Sequence, residues 1–270
     1  MSSLTTLDNT QVRVLRFARR LLCLPLPEGF VPPVKADALS ALSTRVGDVL
    51  GIEQLTPRLL RLGSAQWMMV FFHGPERLHR LATYEAGQPR TLSYSPREMA
   101  MVVVDGRHRL MYVSLSHAQK SLRYLLSAFN GTLFPGRPLT APFESLWFDL
   151  DILPALQLAD RHPQGDGLPW QHLSLKSVAS QEPGRDLAWM TKKWGRDGFE
   201  ELAQQAFSWP RHLCEVGLAV QAIGAKKTFS VHLFHRKGML RAALAASHLD
   251  ALAGLVKLCS NDGENRMRVE

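Results

Sequence analysis

The run MVVVDGRHRLMYVSL, Met101 to Leu115, decides how this chain is read. Two apolar stretches, the first rich in valine, flank Asp105-Gly106. A type I′ turn needs positive φ at both of its central positions, and Asp-Gly is among the pairs that adopt it most readily. The run therefore predicts an antiparallel hairpin turning at Asp105-Gly106. Upstream of it, AQWMMVFFH (65–73), RLHRLATYE (77–85), RTLSYS (90–95) and MAMVVVD (99–105) are short β-type runs separated by glycine and proline. Downstream, Ser116 is placed to cap a helix over 117–129, and Asn130-Gly131 to end it in the left-handed manner.

Farther out the periodicity changes. Residues 10–24 predict an amphipathic helix, with Val14, Leu15, Phe17, Ala18, Leu21 and Leu22 on one side and Arg13, Arg16, Arg19 and Arg20 on the other. Pro25, Pro27, Pro32 and Pro33 follow, and no helix continues through them. A second helix is expected over 36–50. Beyond the polar, turn-rich stretch 158–171, the chain predicts a strand in QHLSLKSVA (171–179) and two helices, over 185–194 and 198–207, the second capped by Asp197. A three-strand antiparallel meander over 213–246 comes next, then a last helix over 248–259, with Ser247 and Asp250 arranged as a variant capping box. The expected class is α+β in two parts, each a mainly antiparallel sheet with helices packed on one face. The parts are a basic arm over 1–34 and domains over 35–160 and 161–270, meeting near 160–167.

The 270 residues, 46% hydrophobic and 21% charged, form an ordinary globular composition with a sizeable core. Cys23, Cys214 and Cys259 are odd in number and far apart, with no CxxC pair, so neither a disulfide framework nor a cysteine zinc site is expected. That usage, a start unlike a signal peptide and apolar runs too short to span a bilayer point to a cytoplasmic protein with no membrane partner. The +8 net charge favours polyanions, nucleic acid first among them.

In LWFDLDIL (146–153), Asp149 and Asp151 would share one face of a strand while Phe148, Leu150 and Ile152 fill the other. Two carboxylates on a rigid element are what two-metal phosphoryl transfer requires. Ser230-Val231-His232 stands on a later expected strand, with a further acid at Asp250. These two patterns resemble those of the archaeo-eukaryotic primase-like polymerases. The resemblance implies that Asp149 and Asp151 bind metal, that His232 contacts nucleotide phosphates, and that the activity is metal-dependent nucleotidyl transfer. The simpler reading, a strand whose polar face meets water, is preferred, and no metal, cofactor or catalytic residue is assigned. His232 and His235 are three apart on a strand and face opposite sides, so they do not share an ion. No HExxH, GxxxxGK[ST], GxGxxG, GxSxG or Glu-x-Lys occurs, which leaves an enzyme little supported.

Binding is better supported. Arg13, Arg16 and Arg20 make a basic stripe, and Arg107 and Arg109 flank the hairpin tip. Lys120 and Arg123 lie one turn apart on the helix expected at 117–129. Lys192, Lys193 and Arg196 sit among Trp189 and Trp194, and Lys226-Lys227 open the 228–235 strand. Clustered cations neutralise phosphates and give sequence-independent affinity, and an exposed tryptophan stacks on an unpaired base. The expected function is nucleic-acid binding with little sequence specificity, by a subunit of a larger cytoplasmic assembly. A protein–protein scaffold without affinity for nucleic acid is the alternative.

Overall fold

The computed structural model describes residues 19–26, 36–50, 55–73, 79–85, 87–94, 98–114, 148–150, 169–181, 189–193, 195, 197–204, 213–235 and 239–260. In chain order the elements are β1 (Arg19–Pro25), α1 (Ala36–Leu50), β2 (Thr56–Arg61), β3 (Gln66–His73), β4 (His79–Glu85), β5 (Gln88–Tyr94), β6 (Glu98–Asp105) and β7 (Leu110–Ser114). Then come β8 (Trp170–Gln181), β9 (Trp189–Lys193), α2 (Gly198–Gln204), β10 (Leu213–Ala222), β11 (Phe229–Phe234), β12 (Met239–Ala242), a 3-10 turn (Ala246–His248) and α3 (Leu249–Cys259).

Two sheets with helices packed on one face of each were expected, and the structure corrects this. Ten strands join in one large antiparallel sheet, in the order β2-β3-β6-β7-β1-β12-β11-β10-β8-β9, and β4-β5 form a separate hairpin. Helices are few and short among the described residues. Two expected helices account for much of the difference. The described end of the 10–24 helix is strand β1, and within 185–194 the described residues form strand β9. Leu21 and Leu22 suit a helical wheel, but an edge able to pair them outweighs helix propensity. Leu21 meets Leu240, and Leu22 meets Met239, across an antiparallel ladder. The expected helix 117–129, the stretch 160–167, Arg13 and Arg16 lie outside the described residues.

Contacts divide the chain into two compact units. One comprises 27–104 and 113–143. In it α1 lies against β2, with Leu42 and Val46 fully buried and Ser43 Oγ donating to the Leu55 carbonyl at 3.4 Å. The β2–β3 hairpin closes where the Leu62 and Gly63 N–H groups donate to the Gln66 carbonyl, and the Arg61 guanidinium sits 5.5 Å from the Trp67 ring centroid. Gly87, at φ 76, turns β4 into β5.

The other unit comprises 1–26, 105–112 and 144–270. Its core joins the inward residues of β1, β8, β10, β11 and β12 to α3, whose Leu249, Leu252, Leu255 and Val256 have no exposed surface. Gly254 lets α3 approach closely. A Cβ there would run into Pro169 Cγ and stand 3.1 Å from Trp170 Cζ3. The 213–246 meander forms as expected, through consecutive antiparallel pairing of β10, β11 and β12. Asp197 caps α2, its Oδ1 accepting the Phe199 N–H at 3.1 Å and also the Leu175 N–H at 3.0 Å.

The turn after Asp105 departs from type I′. It runs over Gly106–Arg109, and Arg109 (φ 58) carries the left-handed conformation. The reason is the Asp105 side chain. Fully buried, it accepts the His108 N–H at 3.1 Å on Oδ1 and the ring Nδ1–H at 2.8 Å on Oδ2. The Arg109 carbonyl in turn accepts the Leu26 N–H at 2.7 Å, tying the turn to the chain just past β1. The capping box expected before α3 does not form. His248 occupies the cap without a side-chain capping bond, its Nδ1 lying 3.3 Å from the Ala243 carbonyl, and Asp250 pairs instead with Arg107 at 3.1 Å.

The three cysteines form no disulfide. Burial, then the Asp105 charge, pushes the Cys23 thiol well up, and burial followed by Cys23 and Asp105 raises Tyr112. Burial and Asp149 push Cys259 up to about 12.

This packing predicts three outcomes. Gly254→Ala should destabilise the protein in urea unfolding although alanine favours a helix by about 1 kcal/mol, because the contact with Pro169 and Trp170 outweighs propensity. An increase in stability would contradict the close approach. For Cys259, folding raises the thiol pKa from 9.0 to about 12. Its stabilisation is therefore complete below about pH 9 and is lost as pH rises from there toward 12. Unfolding free energy should decline more steeply over that window in the native sequence than in Cys259→Ala. In native alkylation at pH 8, Cys214 should react before Cys23 and Cys259.

Candidate polyanion-binding face

Strand β11 shows the pattern most plainly. Phe229, Val231 and Leu233 are buried, Ser230 is exposed, and His232 and Phe234 are half-buried. Alternation of this kind puts one face of the strand in the core and the other toward water. The register carries it from strand to strand. Arg20 pairs with Arg241, Arg241 with His232, His232 with Gly217, Gly217 with Ser177, and Ser177 with Lys193. Six adjacent strands, β1-β12-β11-β10-β8-β9, thus place Arg20, Arg241, His232, Gly217, Ser177 and Lys193 in a single outward row. Five steps of about 4.8 Å give it a length of ~24 Å. Arg20, Arg241 and Lys193 are exposed, and all six residues belong to the same compact unit.

Gly217 shapes the middle of the row. A Cβ there would overlap Ser177 Oγ and lie 3.1 Å from His232 Cε1, so the serine and the imidazole close over the glycine from either side. His232 Nδ1 donates to Glu215 Oε1 at 2.8 Å, since a carboxylate only accepts, and this fixes the ring's orientation. Their side chains are 32% and 34% exposed, so the pair is reachable from solvent. On β8 the register shifts beside Gly217, leaving Lys176 as the extra residue of a bulge. Bulges bend a strand and re-aim its side chains. The row can present three cations, a hydroxyl and an imidazole along one line, with one carboxylate already engaged.

The cations singled out from sequence are distributed as follows. Arg20 and Lys193 stand on the row, at opposite ends, and Lys192 is on β9 beside Lys193. Lys226 and Lys227 are exposed on the β10–β11 turn. Arg107 and Arg109 are exposed on the hairpin turn, but Arg107 is paired with Asp250 and Arg109 has a partner of its own. Arg13, Arg16, Lys120, Arg123, Arg196 and Trp194 lie outside the described residues, as does Asp151. Asp149 is not on a strand. Phe148 makes an isolated bridge to Ser260, Leu150 enters a 3-10 turn, and the Asp149 N–H donates to the Cys259 carbonyl at 2.7 Å. Among the described residues no group of three metal-ligating side chains comes together.

Arg241 was missed by sequence reasoning. Its signal is the alternation Met239, Leu240, Arg241, Ala242, in which the even positions are buried. It becomes legible only once β12 is given a register.

No family model matches the chain, and no curated protein matches it. Among solved structures it is similar to DynU16, a protein of the dynemicin biosynthetic locus, at 11% identity over 90% of this chain and 95% of that one. The TM-score is 0.19, too low to carry an argument about fold or function. No helix among the described residues is long and apolar enough to cross a membrane.

The closure over Gly217 yields a test. Gly217→Ala should lower stability by forcing Ser177 aside, and the loss should be smaller when Ser177→Ala removes the hydroxyl first. Additive losses in a double-mutant cycle would show that the two side chains do not share the space.

Proposed function

We propose that the outward row from Arg20 to Lys193 binds the phosphates of nucleic acid, with little preference for base sequence. The observation that carries this reading is the register itself. It brings Arg20, Arg241 and Lys193, far apart in the chain, onto one face of the sheet, with the Ser177 hydroxyl and His232 between them. Each cation that neutralises a phosphate releases condensed counterions, so affinity comes from charge and spacing and carries no sequence information. Lys226 and Lys227, exposed on the neighbouring turn, add to the positive field. Among the described residues this face is built from strands and presents no helix to enter a major groove, which suits backbone contact more than base reading.

Titration of salt against labelled duplex and single-stranded DNA tests the proposal. Affinity should fall steeply with salt, and Arg241→Ala or Lys193→Ala should each reduce the slope of log K against log salt by about 0.9 on duplex DNA. A slope unchanged in both variants would overturn the assignment to this face. Indifference to nucleic acid at low salt, with a protein complex that survives high salt, would favour a scaffold instead.

A further inference from the structure

The strands that carry the basic row carry a second row beside it. Two residues along each strand, on the same face, come Leu22 on β1, Met239 on β12 and Phe234 on β11. Leu22 and Met239 are direct partners, and all three side chains are half-buried, not covered. On the far side of Phe234 stands its partner Glu215, and Ala179, which pairs with Glu215, is nearly buried. Among the described residues the half-buried apolar strip thus lies on β1, β12 and β11, alongside Arg20, Arg241 and His232. On β11 two rings, His232 and Phe234, stand two residues apart on one face, about 6.8 Å along the strand. The Glu215 carboxylate holds the imidazole by its Nδ1–H at 2.8 Å, and the ring, packed over Gly217 on one side, keeps 32% of its side chain exposed to a ligand.

A phosphate-binding line that includes an imidazole, next to a strip bearing the Phe234 ring, matches what unpaired nucleotides present, a charged backbone with bases to one side. A duplex keeps its bases stacked on one another and turns mainly its phosphates to the surface of a sheet. Single-stranded nucleic acid splays its bases, which stack on aromatic or imidazole rings displayed by a sheet. We infer that this face takes single-stranded nucleic acid, the backbone running along Arg20 and Arg241 with successive bases on Phe234 and His232. The inference rests on the phosphate-binding reading above and adds to it a class of ligand and two residues that contact bases. The rings act through their faces and therefore give affinity without choosing a sequence.

The decisive probe needs no variant. A labelled oligothymidylate, an abasic strand of the same length and a matched DNA hairpin duplex are titrated by fluorescence anisotropy at low salt. The oligothymidylate should bind at least tenfold more tightly than either competitor. Phe234→Ala should weaken oligothymidylate binding roughly tenfold, the scale of one lost stacked base, while leaving the abasic strand and the salt slope unchanged. Phe234→Trp should restore binding, and equal thermal midpoints would show that the variants fold. Arg241→Ala should do the reverse, weakening both strands and reducing the slope by about 0.7. Equal affinity for the oligothymidylate and the abasic strand overturns the stacking inference and leaves phosphate binding standing. Absence of binding to all three probes at low salt overturns both.

Discussion

The antiparallel register in which β11 meets β10 and β12, with His232 set against Gly217 on one side and Arg241 on the other, is the constraint on which the outward face depends. A strand's side chains alternate with a period of two, so a slip of one residue would send His232 into the core and Val231 or Leu233 into water. Val231, Leu233 and Leu240 have no exposed surface, and their burial forbids that slip. Each buried leucine or valine contributes on the order of 1.5–3 kcal/mol. The row on the other face inherits its alignment from this core. Apolar residues that never meet a ligand thus determine which cations stand in line.

The Asp105 carboxylate plays a comparable part at the hairpin. Within the unit that holds the row, it engages His108 twice, and its charge bears on both Cys23 and Tyr112. Among the described residues the buried Tyr112 hydroxyl finds no hydrogen-bond partner, a state that ordinarily costs about 1–3 kcal/mol. Arg107 and Asp250 join the same turn to the first turn of α3. Residues read from sequence as a basic cluster at the tip are therefore partly spent on holding the turn. The same applies to Asp250, expected as part of a helix cap and found facing Arg107. Charge counts alone do not separate structural cations from those available to a ligand, because the distinction lies in which carboxylates the fold brings near.

Much of the secondary structure was legible in the amino-acid sequence. The meander 213–246, helix α1, the Asp197 cap and most strands before residue 105 follow from period, turn residues and caps, which act over a few neighbours. Two Lys/Arg positions now on the row, Arg20 and Lys193, were also marked from sequence, as members of local clusters. What local signals could not supply was β1. RRLLCLP suits a helix by its wheel and a strand by its alternation, and only a partner of matching register, β12, decides between them.

By itself, then, the sequence determined a basic chain with a large apolar core, the positions of most strands and the hairpin at Asp105-Gly106. Tertiary structure alone decided that the strands join in one sheet, that residues 19–25 pair with β12, and that Arg20, Arg241, His232, Ser177 and Lys193 share a line. The physical reason is range. Turn and helix preferences are set by residues a few positions apart, whereas strand pairing is set by hydrogen bonds and side-chain packing between segments that can be two hundred residues distant. Arg20 and Arg241 are neighbours for that reason and for no reason visible near either of them.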